Sequence, residues 1–176
     1  MRNAIIVPLT KMPFPKRIGP PAWADWFTTC KRSVEIQRSL AALGTDSEIL
    51  VLTATQFTGA RPEREYYVDA LRELGAEHIR VVVECYETIE QIETMVKMAK
   101  DEGKELIVVS TWLHYPRALW LLKGSGAELT WTFGIPNAKY AIMDIILNFA
   151  FPVLDVLGLR GWFRRRTTVR RVENQY

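Results

Sequence analysis

Two segments of this chain carry chemically capable side chains directly after a run of apolar residues. One is Val-Val-Val-Glu84-Cys85-Tyr86-Glu87-Thr88-Ile89-Glu90-Gln91, and the other is Leu106-Ile-Val-Val-Ser110-Thr111-Trp112-Leu113-His114-Tyr115-Pro116-Arg117. A carboxylate or an imidazole can move a proton at a reacting group, and a guanidinium can hold an anion through paired hydrogen bonds. In both segments the apolar run has strand length and a helical pattern follows it. Such handovers in an open parallel sheet lie on its carboxyl rim, where ligands bind. The two segments together predict one convergent site.

Structural explanations compete for several of these residues. Thr88 opens Thr-Ile-Glu-Gln, which reads as a capping box, and Glu87 and Glu90 favour the positive end of a helix. Capping does not account for Glu84, which ends an apolar run ahead of the cap. Cys85 could serve as a nucleophile, but a thiolate beside the Glu84 carboxylate is disfavoured, so a structural role is expected. His114 stands just before Pro116, a residue suited to a first helical turn. The dipole there disfavours imidazolium, so His114 is expected as a neutral donor or acceptor. Arg117 falls in the same first turn, where a cation opposes the dipole. Either a carboxylate such as Glu84 offsets it, or it holds an anionic ligand together with the helix amides.

The elements needed to position these groups are legible in the pattern. Apolar, β-branched runs predict strands at 4–9, 48–53, 79–83, 106–110 and 128–133. Helical spacing runs from about Trp23 to Leu43, from Pro62 to near Gly75, from Thr88 to before Gly103, and over 116–123. The third of these helices places Ile89, Ile92, Met95, Val96 and Ala99 on one face. Between the first strand and first helix lies a loop at 10–21 with four prolines, Lys11, Lys16 and Arg17, placed to close over the same rim. Strands alternating with helices imply right-handed βαβ units. The fold expected is a three-layer α/β/α sandwich with a mostly parallel sheet of about five strands, Rossmann-like in build.

At 176 residues the chain suits one domain. The expected division is a domain over 1–159, its last helix at about 138–159, followed by a basic tail at 160–176. Six of the 23 basic and one of the 20 acidic side chains lie beyond Leu159, so the net charge of +3 belongs to the tail and the body is slightly acidic. That distribution, with no recognisable module, argues against nucleic-acid binding. Two cysteines without CxxC or Cys/His spacing argue against a disulfide framework and a structural zinc. The first apolar stretch is shorter than a signal-peptide core, so a cytoplasmic location is the expectation. The absence of GxGxxG, GxxxxGK[ST] and GxSxG excludes the familiar dinucleotide, P-loop and hydrolase signatures.

The stretch at 140–162 approaches a membrane span in length and apolarity. Asp144, Asn148 and Asp155 share one helical stripe within it, and Pro152 and Gly158 interrupt it. A last helix packed on the sheet, or partly buried in a homo-oligomer interface, is expected. The alternative is peripheral attachment to a membrane surface through Trp162, Phe163 and the arginines.

Residues 4–133 resemble the bacterial YdcF/SanA/ElyC-like family, a domain of unknown function. Glu63 in Arg-Pro-Glu63 and Gly75 match its second helix, Glu84 its acidic residue after the third strand, and Thr88 and Glu90 its Thr-x-Glu. Ser110-Thr111-Trp112-Leu113-His114-Tyr115-Pro116-Arg117-Ala118 matches its Thr-Ser-x-x-His-x-x-Arg-Ala motif. The family's Ser-Gly-Gly is replaced by Thr53-Ala54-Thr55, and its two asparagines by Glu87 and Gln91. The resemblance implies a Rossmann-like sandwich with its site at the strand carboxyl ends, a link to envelope biogenesis, and S-adenosylmethionine as one candidate ligand.

Taken together, these readings predict a small anionic ligand, nucleotide-like, S-adenosylmethionine-like or phosphorylated. Glu63, Thr88, Glu90, Thr111 and Arg117 would bind it. If the site is enzymatic, His114 and Glu84 would handle the proton. Glu84 and Glu63 also suit a divalent cation such as Mg²⁺, although no ligand spacing demands one. The competing hypothesis is a non-catalytic adaptor acting through the last helix and the arginine-rich tail.

Overall fold

The computed structural model describes residues 3–9, 22, 24–52, 63–82, 85, 87–136, 138–163, 165 and 166, with the backbone alone at 63 and 138–140. The basic loop at 10–21, Thr53-Ala54-Thr55, the turn at 55–61, Glu84 and residues 167–176 lie outside the described residues.

Strands and helices alternate: β1 (Ala4–Leu9), α1 (Asp25–Ala42), β2 (Ser47–Leu52), α2 (Glu63–Glu73), β3 (Ile79–Val82), α3 (Thr88–Glu102), β4 (Glu105–Thr111), α4 (Tyr115–Leu121), β5 (Glu128–Thr132) and α5 (Ala138–Val156). The five strands form one sheet in the order β3-β2-β1-β4-β5. Every pairing is parallel. The sheet is the one expected from the alternation of apolar runs and helical patterns. β1 lies at its centre and is buried along its whole length, which is why 4–9 is a continuous apolar run rather than an alternating one.

Successive side chains of a strand point to opposite faces, and each face has its own core. Ala4, Ile6, Ile49 and Val51 meet Cys30 and Val34 of α1 and Tyr67 and Leu71 of α2. Ile5, Val7, Leu50 and Val108 meet Ile92, Met95 and Ala99 of α3 and Ala118 and Leu122 by α4. The molecule is thus a three-layer α/β/α sandwich. Both cysteines are buried as thiols, and burial pushes the Cys30 thiol well above its ordinary range.

α3 begins differently from the expected capping box. Its N-cap is Glu87, whose carboxylate accepts from the Glu90 amide at 3.2 Å, and Thr88 is already the first helical residue. A glutamate fills the role because it sits one residue earlier with an extended backbone and its acceptor reaches a donor the helix leaves open. The helix closes at Gly103, which takes the left-handed conformation with φ 62°.

At the amino edge of the sheet an ion network ties the strand starts together. Arg80 reaches Glu48 at 3.0 Å and Glu102 at 2.8 Å, and Lys104 reaches the same two carboxylates at 2.6 and 2.8 Å. Hydrogen bonds from Arg80 and then Lys104 hold the Glu102 carboxyl down to about 2. These charges are satisfied by one another and lie at the opposite end of the strands from the predicted site.

α5 ends at Val156, short of the expected 159, and a helical turn at 160–163 follows. Phe163 in that turn packs edge-on against the buried Phe151 of α5, with ring centroids 5.2 Å apart. No helix among the described residues is long and apolar enough to cross a membrane.

Candidate functional site

The strand order fixes where a crevice opens. α1 leaves the carboxyl end of β1 for one face of the sheet and α4 leaves that of β4 for the other. β1 and β4 are neighbours, so the chain parts in opposite directions between them, the switch point at which doubly wound sheets hold ligands. The last register pair there is Leu9 with Ser110. The Ser110 side chain is fully buried, and its hydroxyl has no hydrogen-bond partner among the described residues. Thr111 follows, and its hydroxyl accepts from the His114 amide at 3.3 Å while its carbonyl accepts from the same amide at 3.1 Å. Thr111 thereby closes the tight turn that delivers His114 to the start of α4.

His114, Arg117 and Asp144 form one buried cluster, exposed by 2%, 4% and 1%. The Arg117 Nη2 lies 2.6 Å from His114 Nδ1 and 3.2 Å from Asp144 Oδ1. His114 Nδ1 is also 3.4 Å from Asp144 Oδ1. A guanidinium can only donate, and its approach is much the shorter one. The shorter contact is the one in which the arginine donates to Nδ1, and Asp144 pairs with the arginine. The guanidinium also stacks over Phe151, 5.5 Å from the ring centroid.

One partner of Arg117, Asp144, thus comes from α5. The Glu84 alternative lies outside the described residues, and an arginine that its own helix disfavours is explained by a buried carboxylate. Sequence reasoning placed Asp144, Asn148 and Asp155 on one stripe without assigning what they meet. All three turn inward: Asn148 donates to the Leu113 carbonyl at 2.8 Å, and Asp155 accepts from Trp120 Nε1 at 3.0 Å and pairs with Arg160 at 2.8 Å. A cation in the first turn of α4, where the dipole opposes it, and a polar stripe on an apolar helix were complementary signals.

The other predicted residues fall into two further groups on the same carboxyl rim. Thr88 and Glu90 belong to the start of α3, where Glu87 is buried and Gln91 donates to the Leu52 carbonyl at the end of β2. Glu63 opens α2, in the layer covering the opposite face. The structure thus brings His114, Arg117 and Thr111 together, and places Thr88 and Glu90 at the start of α3. Among the described residues no group of three His, Cys, Asp or Glu side chains is arranged to hold a metal ion.

Comparison with family models, with curated proteins and with solved structures finds no match to this chain.

Proposed function

We propose that this chain is a YdcF-like α/β domain that binds a small anionic ligand, nucleotide-like, S-adenosylmethionine-like or phosphorylated, between the carboxyl ends of β1 and β4. The observation that carries this reading is the Ser110 hydroxyl, buried at the switch point without a partner among the described residues. A buried hydroxyl left unpaired costs stability, and a ligand group that pairs with it recovers that cost. The buried ion pair between Arg117 and Asp144 serves to fix the Thr111–His114 turn. Positive charge for the anion is supplied by Lys11, Lys16 and Arg17, which follow β1 directly in sequence. Thr88 and Glu90, at the start of α3, belong to the same rim in this reading.

Thermal-shift measurements against nucleotides, S-adenosylmethionine and sugar phosphates test it, because a ligand bound only by the folded state raises stability. At about a hundredfold excess over Kd the gain is about 2.7 kcal/mol. Ser110→Ala removes the unpaired hydroxyl without changing the core volume much. The variant alone should melt no lower than the parent, and with ligand it should show a clearly smaller rise. A panel without any rise, or a rise that Ser110→Ala leaves intact, contradicts the proposal.

A further inference from the structure

α5 carries a polar stripe, beside the buried Phe151, where it meets the fold, and is apolar where it faces outward. Its inward positions include Asp144, Asn148 and Asp155, each bonded to β4, α4 or the turn between them. Ile142, Ile145, Ile146, Phe149, Val153 and Val156 are all exposed, Phe149 by 77% and Val156 by 81%. At 100° per residue these six fall within an arc of about 100°, opposite the inward stripe. A globular helix ordinarily shows the reverse arrangement, and a contiguous exposed apolar face of this kind marks an interaction surface.

The charge beside that face says what covers it. Just past the helix Trp162 is exposed, and Arg165 and Arg166 are exposed with it. The Arg166 guanidinium lies 5.3 Å from the Trp162 ring centroid. Six arginines and one glutamate occupy the chain beyond Leu159, while the body before it is slightly acidic. A second copy of this helix offers no complement. In parallel pairing the arginine clusters would meet each other, and in antiparallel pairing each would meet the end that carries Lys139, with Asp144 already buried. An anionic lipid surface supplies both an apolar boundary and the counter-charge.

We propose that α5, with Arg165 and Arg166 just beyond it, docks on an anionic bilayer. The helix lies in the plane of the interface, its Ile142–Val156 stripe at the acyl boundary and its arginines among the headgroups. Asp144 stays buried and Asp155 stays paired with Arg160 on the side away from the apolar stripe, so neither carboxylate faces the lipid. This inference does not depend on the ligand site.

Flotation of the full chain with vesicles tests it. Vesicles of phosphatidylcholine containing about one-third phosphatidylglycerol should carry the protein, pure phosphatidylcholine should carry much less, and high salt should weaken the binding. The pair Ile146→Glu and Phe149→Glu should lower vesicle affinity by about tenfold or more. Arg165→Glu with Arg166→Glu should lower it by roughly fivefold for each arginine removed. All four side chains are exposed, so circular-dichroism melts should match the parent. Absence of binding to anionic vesicles overturns the proposal, and so does binding that ignores both pairs of substitutions. A dimer in light scattering that Phe149→Glu dissociates, with vesicles ignored, would overturn it in favour of a second copy.

Discussion

Arg117→Ala should destabilise the protein by about 3–5 kcal/mol, the largest loss expected for any single side chain of the site, because it takes the guanidinium away from a buried carboxylate. Asp144 is 1% exposed and 3.2 Å from the guanidinium it would lose. For a chain of this size the melting temperature should fall by roughly 6–20 °C. Replacing both partners with leucine should recover most of the loss, since neither charge then remains buried. Chemical denaturation of the two single variants and the double variant gives the coupling directly. Single variants within about 0.5 kcal/mol of the parent would mean that the pair does not hold α5 to α4.

The second large effect should come from Gly134→Ala, a change of one methyl group. A Cβ at that position would stand 2.4 Å from the Asp25 Cα and 2.9 Å from the Asp25 amide nitrogen. Both are backbone atoms at the start of α1, so no side chain can move aside. Gly134 lies two residues past the end of β5, its carbonyl accepts from Trp112 Nε1 at 3.2 Å, and the next residue bridges Ala24. The glycine therefore lets the start of α1 close against the end of β5 on the same rim as the switch point. Overpacking of this kind costs about 3 kcal/mol, and urea unfolding of the variant should show a midpoint lowered accordingly. A parent-like midpoint would show that α1 is not seated there.

The frame of the molecule was readable because its signals are local. Five apolar runs bounded by helical patterns specify a parallel sheet, and glycines such as Gly103 mark the helix ends. The Thr88 capping box misled by one residue, since the motif cannot tell which of two adjacent acceptors takes the extended backbone. The site was half legible. Thr111, His114 and Arg117 do come together, because one tight turn carries all three. Their partner Asp144 lies 27 residues beyond Arg117, a separation that only tertiary packing closes. Burial of Ser110 at the switch point likewise depends on strand order, which no single segment encodes.

The most direct test of the ligand site is an amide chemical-shift titration of the folded chain with the panel member that raises its melting temperature most. Perturbations should centre on Leu9, Ser110, Thr111 and His114, and should be much reduced in Ser110→Ala. Perturbations centred on α5 or the amino edge, with the β1 and β4 carboxyl ends unmoved, would contradict a ligand held at the switch point.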